Sequence, residues 1–148
     1  MPSRSSTPIP TAPFTFGLLG LIPFVGPPIG VLLRPEFAAP LLGLQAIYAA
    51  LILSFLGGAR WGFAVTQSPP GTLTVSLSMI PTLVALALLF IPPTLMSWKL
   101  GGFALALAAH GAWDARPGVG PDWYPRLRSL LSAVACGGLI LGAWLAYG

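Results

Sequence analysis

Five stretches of this chain run for close to 20 residues with at most one Asp, Glu, Lys or Arg apiece: residues 14–33, 40–62, 73–91, 95–113 and 130–147. A helix rises about 1.5 Å per residue, so each stretch is long enough to cross a hydrocarbon core of roughly 30 Å. In lipid the backbone has no water to bond. A segment of this kind must therefore satisfy its own N–H and C=O groups, and a helix does that within one segment. The pattern predicts an all-α, polytopic integral membrane bundle of about five transmembrane helices. Composition points the same way. Hydrophobic residues make up 55% of the 148 and charged residues 7%, against roughly a quarter charged in soluble domains. Seven basic and three acidic side chains cannot cover the surface of a water-soluble protein of this size.

The domain plan is a polar N-terminal tail, residues 1–13, and a single transmembrane domain, residues 14–148. The tail is rich in Ser, Thr and Pro and reads as extended chain. No small-x-small cleavage site follows it, which argues against a signal peptide. The connections at 34–39, 63–72 and 92–93 are short, and only Asp114–Arg128 is long enough to hold structure of its own. The first apolar stretch contains Pro23 and the pair Pro27–Pro28. Each proline removes a backbone donor and crowds the preceding turn, so this segment is either a kinked or broken crossing or a re-entrant hairpin. Pro81 predicts a kink in the third.

Basic residues set the expected orientation. With five crossings, Arg4, Arg60, Arg116, Arg126 and Arg128 share one side, and Arg34 and Lys99 the other. The positive-inside rule then puts the N-terminus inside and the C-terminus outside. The basic pI, near 10.0, reflects these scattered cations rather than a basic face, so nucleic acid is not an expected partner. Membrane lipids and other membrane-protein subunits are.

The second helix carries the densest pattern. Ser54, Gly58 and Gly62 recur every fourth residue, with Gly57 beside them, and small side chains in this register let another helix approach closely. Gly138 and Gly142 repeat the device in the fifth helix, a candidate partner. The competing use of such a groove is to admit a lipid tail, quinone or pigment. Arg60 lies across the helix from the small stripe. It either snorkels to the headgroups beside Trp61 or pairs with Asp114, which the topology places at the same end. His110, the one histidine, stands a turn before Asp114, whose carboxylate can fix its tautomer. Ligation of a haem or metal by His110 would need ligands from a second chain. Trp123, Tyr124, Arg126 and Arg128, with Trp61, form either an interfacial anchor and partner contact or a plain solvated connection. Cys136 is the one cysteine. No nucleophile–base set, metal triad or phosphate loop is present; Gly57–Gly58 lacks the spacing and the Lys-Ser/Thr of a phosphate loop.

Three blocks in order carry a resemblance: Gly17-Leu-Leu-Gly20-Leu-Ile-Pro23-Phe24, then Tyr48 through Ser54-Phe-Leu-Gly57-Gly58-Ala-Arg60-Trp61-Gly62, then Trp123-Tyr124-Pro-Arg126-Leu-Arg128. Together they resemble the transmembrane-protein-69-like family, small membrane proteins of bacteria and mitochondria. The resemblance implies the bacterial cytoplasmic membrane, or less readily the mitochondrial inner membrane, and supplies no activity, cofactor or catalytic residue. The residues themselves favour a non-catalytic structural or accessory subunit, or an assembly factor, of a larger respiratory or photosynthetic complex. The alternative is a small transporter or carrier with a lipid, quinone or pigment in a helix groove.

Overall fold

The computed structural model describes residues 8–116 and 121–148. Arg4 of the tail, which enters the orientation count, and residues 117–120 of the long connection lie outside the described residues. Among the described residues there are seven α-helices: α1 Thr11–Leu19, α2 Ile22–Leu33, α3 Ala38–Val65, α4 Thr72–Leu77, α5 Ile80–Leu89, α6 Met96–Asp114 and α7 Tyr124–Leu145. Single 3₁₀ turns at Pro35–Phe37 and Pro93–Leu95 make two corners. α1 with α2, and α4 with α5, each form one bent rod, so the seven make five rods in a helical membrane bundle. Four are long and apolar enough to cross a bilayer: Thr11–Leu33, Pro35–Val65, Thr72–Leu89 and Tyr124–Leu145. The other rod, α6, has 19 residues and packs chiefly against α7. It carries Lys99, His110 and Asp114, all buried against the bundle.

Two boundaries differ from the sequence reading for physical reasons. The last helix starts at Tyr124, six residues before the apolar run at 130. Pro125 sits in its first turn, where a missing N–H costs nothing. Of the polar residues after it, Arg128 and Ser129 find partners for their side chains, a property that an apolarity count does not register. The first segment is a bent helix rather than a re-entrant hairpin, and it bends at Gly20–Leu21, not at Pro27–Pro28. Pro23 occupies the first turn of α2. It breaks the ladder just upstream, where Phe24 N–H donates to Leu21 C=O (2.9 Å) instead of to Gly20. Pro27 and Pro28 lie inside unbroken helix, buried. The rod of α4 and α5 follows the same rule: it turns at Ser78–Met79, ahead of Pro81 in the first turn of α5.

The prolines of the first rod free two backbone acceptors, and side chains of α3 take them up. Tyr48 Oη donates to the Gly20 carbonyl (2.9 Å), the group left by the shifted Phe24 bond. Pro28 has no N–H for the Phe24 carbonyl, and Gln45 Nε2 donates there instead (2.7 Å). The same amide donates to the Gly138 carbonyl on α7 (2.9 Å). Both acceptors are carbonyl oxygens, which only the NH₂ end of the amide can serve, so the orientation of Gln45 follows from its partners. One fully buried amide thus ties α2, α3 and α7 together.

The buried face of α3 explains why apolarity alone does not mark it. Its inward residues include Ala46, Ala49, Ala50, Gly57 and Ala64 with Gln45 and Arg60, while Leu44, Ile47, Leu51 and Phe55 are exposed. Lipid accepts large apolar side chains as well as a protein core does, so small and polar residues define the inside. Gly138 and Gly142 are contact points of the same kind. A Cβ on Gly138 would collide with the Phe24 carbonyl, and one on Gly142 with the Gln45 amide.

This clasp predicts coupled losses. Gln45→Leu strands the Phe24 carbonyl and is expected to cost about 1–3 kcal/mol. Gly138→Ala pushes the same carbonyl away and should cost a similar amount. The double variant should lose less than the sum, because both changes act on one contact. Thermal unfolding in a single detergent, followed by circular dichroism, measures all three. Simple additivity would separate the two residues.

Candidate functional site

The ends of a membrane bundle are where charges gather, and at one end here Arg60, Asp114 and Arg128 form a buried cluster. Asp114 is the last residue of α6, Arg60 lies about 8 Å of helix axis before the end of α3, and Tyr124 and Arg128 belong to the first turns of α7. The Asp114 side chain is 2% exposed. Its Oδ1 faces Arg60 Nη1 at 3.5 Å. Its Oδ2 accepts from Arg128 Nε at 3.1 Å and from Tyr124 Oη at 3.4 Å. His110 Nε2 stands 3.5 Å from the same oxygen. Three helices meet on a single carboxylate.

Helix dipoles do not favour this arrangement. A carboxylate at the C-terminal end of α6 and an arginine near the N-terminal end of α7 both face partial charge of their own sign. Direct pairing outweighs this. At about 3.5 Å and an effective dielectric near 20, opposite unit charges attract by roughly 5 kcal/mol, several times a typical dipole effect. Arg60 gains further from Trp113, over whose ring its guanidinium carbon lies at 4.3 Å, a cation–π geometry. His110 meets the edge of the same ring, centroids 5.5 Å apart. Two guanidinium groups against one carboxylate leave a formal excess of one positive charge, with His110 neutral. Arg60 Nε, Arg128 Nη2, His110 Nε2 and Ser132 Oγ are buried without a hydrogen-bond partner among the described residues.

The structure therefore brings Arg60, Asp114 and His110 together, and adds Tyr124 and Arg128 from the residues grouped as an interfacial anchor. Those two turn inward instead of reaching for headgroups. Arg126 is exposed, Trp123 is half-buried with its ring edge-on to Tyr124 at 6.2 Å, and Trp61 is exposed. The small-residue stripe divides. Gly57 packs on the α4–α5 bend, where a Cβ would come within 2.6 Å of the Ser78 carbonyl, and Ser54 Oγ meets Thr82 Oγ1 at 3.0 Å. Gly58 and Gly62 have nothing within 4 Å of an added Cβ. Cys136 Sγ donates to the Ala104 carbonyl at 3.4 Å. Among the described residues no group of three or more His, Cys, Asp or Glu converges, and ligation through His110 would still draw on another chain.

Gln45, Tyr48 and Ser132 are the structurally important polar residues that the sequence reading passed over. A signal existed for the first: Gln45 is an amide in the middle of an otherwise apolar segment, and a polar group at membrane depth marks a partner nearby. Ser132 carried no such signal, because serine is tolerated on any face of a helix.

A three-body charge set makes a sharper prediction than a simple pair. Asp114→Asn leaves two buried arginines uncompensated and is expected to destabilise by about 3–5 kcal/mol, more than Arg60→Gln. Exchanging the pair as Arg60→Asp with Asp114→Arg should fail to restore stability, because the new arginine faces Arg128. Thermal midpoints in detergent check this, and full recovery in the exchanged variant would show that Arg128 is not part of the set.

The comparisons with known proteins agree with this architecture. A family model described as "Protein of unknown function (DUF3429)" matches residues 9–144. The curated protein named "Transmembrane protein 69" from Xenopus tropicalis is 37% identical over 128 residues, covering 84% of this chain and 50% of that protein. The one of the same name from Mus musculus is 33% identical over 125 residues, covering 80% and 49%. The chain spans about half the length of the curated relatives it matches. No solved structure matches it. With the family match running from the first helix almost to the end of the last, this chain belongs to the DUF3429 family of transmembrane-protein-69-like membrane proteins.

Proposed function

We propose that the chain is a non-catalytic accessory subunit or assembly factor, held in the bilayer against the helices of a larger respiratory or photosynthetic complex. The observation that carries this reading is the uncovered part of α3. Gly58 and Gly62 lie one turn apart with open space where a Cβ would be, beside exposed Trp61 and Phe55. Lipid gains nothing from glycine, which also weakens a helix by about 1 kcal/mol relative to alanine. A neighbouring helix gains close backbone approach and van der Waals contact. Within the chain that role already belongs to Gly57, Gly138 and Gly142, so the remaining glycines are suited to a helix from outside. The charged groups support a structural role as well. Asp114 is engaged by the side chains around it, and no nucleophile stands beside a base.

The reading places the protein in the bacterial cytoplasmic membrane, N-terminus inside and C-terminus outside. The convergence of the α3 and α6 C-termini with the α7 N-terminus is the arrangement that five crossings require. Five of the seven Lys and Arg residues fall on that side in sequence, which the positive-inside rule assigns to the cytoplasm.

Two measurements test these statements. In blue-native gels of gently solubilised membranes the chain should comigrate with a much larger complex, and Gly58→Leu with Gly62→Leu should release it. Because a Cβ at either glycine meets nothing within 4 Å among the described residues, the thermal midpoint of the isolated protein should hardly move. Migration only as the free 15.4 kDa chain would sink the subunit reading. For orientation, alkaline phosphatase fused after Gly148 should be active in a bacterial host, and the same fusion after Gln67 inactive. The reverse pattern would invert the topology.

A further inference from the structure

Beside the charge cluster a cavity of about 450 Å³ opens between the bent first rod, α3 and α7. That volume falls in the range of small-molecule sites, roughly 300–1,000 Å³. Its walls are almost wholly apolar: Gly17 and Phe24 from the first rod, Ile52 and Ala59 from α3, Leu131 and Ala135 from α7. Its mouth carries Phe16 and Phe55, which are 73% and 68% exposed, so it faces sideways, where lipid surrounds the bundle. Arg128 lines one end. The residue is 8% exposed, its Nε is committed to Asp114, and its Nη2 is buried with no partner among the described residues. Ser132, one turn further along α7, also lines the cavity, with its Oγ turned toward Gly111 and unpartnered among the described residues.

We propose that this cavity binds an anionic amphiphile from the bilayer, its acyl chain between α1, α3 and α7 and its carboxylate or phosphate head on Arg128. Charge decides the class of head. The Asp114 cluster holds one positive charge more than it can pair, and a buried uncompensated charge is costly. One anionic head brings the sum to zero and gives the Arg128 guanidinium a charge-assisted acceptor. A neutral lipid or a quinone would fill the same space and leave the charge unpaired. A water-soluble anion would satisfy the charge and leave the apolar walls empty. Only a molecule with both parts matches both ends of the cavity. The cavity shares Phe55 with the glycine face on α3, but neither Gly58 nor Gly62 lines it, so variants of the glycines and of the cavity test the two readings apart.

Delipidated protein in neutral detergent, titrated with oleate, oleoyl lysophosphatidic acid and methyl oleate under native mass spectrometry, tests the proposal. Both anions should bind stoichiometrically and methyl oleate roughly tenfold more weakly or worse. The tighter of the two anions identifies a carboxylate or a phosphate as the preferred head. Arg128→Gln should cut anion binding by a similar factor without affecting the ester. Because that change also touches Asp114, a second variant leaves the cluster intact: Ala59→Phe fills the cavity from its apolar wall and should abolish binding of every probe. Equal binding of ester and acid would overturn the proposal, as would anion binding that survives Ala59→Phe. Chain migration as a free monomer in native gels would bear on the subunit reading alone.

Discussion

A carbonyl freed by a proline inside a bilayer has no water to turn to, and much of this bundle is arranged around that constraint. Gly20 and Phe24 each lose their usual helical donor, the first because the ladder slips at Pro23 and the second because Pro28 has no N–H. An unmet carbonyl in hydrocarbon costs several kcal/mol, more than any single packing contact along these helices returns. Tyr48 and Gln45, on the inward face of α3, meet the two carbonyls. The consequence reaches beyond local repair. Gln45 can serve Phe24 only if α2 and α3 lie close, and it serves Gly138 only if α7 does too. The prolines thus create acceptors, and the acceptors choose which helices are neighbours.

The charge cluster at one end of the bundle works by the same logic with larger energies. Asp114 cannot stay buried alone, and neither can Arg60 or Arg128. Removing Asp114 exposes both arginines to the penalty of an unpaired charge, whereas removing one arginine leaves Asp114 paired with the other. The polar clasp in the middle and the ionic one at the end both pass through α3 and α7, leaving α6 gripped between them at Asp114. Helix association in lipid has no water-driven hydrophobic term to rely on. Two directional polar contacts at different depths fix register along the axis in a way that glycine packing alone does not.

The extent to which this was legible in the sequence can be traced residue by residue. Length and apolarity place four of the rods within a few residues of where they lie, because the bilayer thickness sets one length scale for all of them. Arg60, His110 and Asp114 could be associated from topology alone: alternation of crossings puts their ends together. The start of α7 was not legible as a helix, because Tyr124, Arg126 and Arg128 look like loop or headgroup residues until their partners are known. The bend position was not legible either. A proline disturbs the turn before it, so Pro23 acts at Gly20–Leu21, and the conspicuous pair Pro27–Pro28 is rescued by Gln45, 17 residues after Pro28 in sequence. The division of the small stripe, Gly57 inward and Gly58 outward, depends on a rotation of α3 that its all-round apolarity does not encode.

The bend and the charge cluster meet in the cavity. Its apolar wall on the first rod runs from Pro13 through Gly20 to Phe24, across the break in the helix, and its far end reaches Tyr124 and Arg128. A straight helix with its ladder intact would have left Tyr48 without the Gly20 carbonyl to hold, and nothing to pin α2 and α3 at that depth. Pinned there, the first rod flanks a space that its own side chains do not fill, since Gly17 and Gly20 contribute no bulk. The same two glycines and the proline that follows them therefore set both the packing of the bundle and the room beside Arg128. A substitution that straightened the rod, such as Pro23→Ala, would restore the Phe24 bond to Gly20. It would also compete with Tyr48 for that carbonyl and disturb the cavity wall formed by Gly20, Leu21 and Phe24 on either side of it. On this argument the fold and the candidate site are not separable, because one backbone irregularity supplies both.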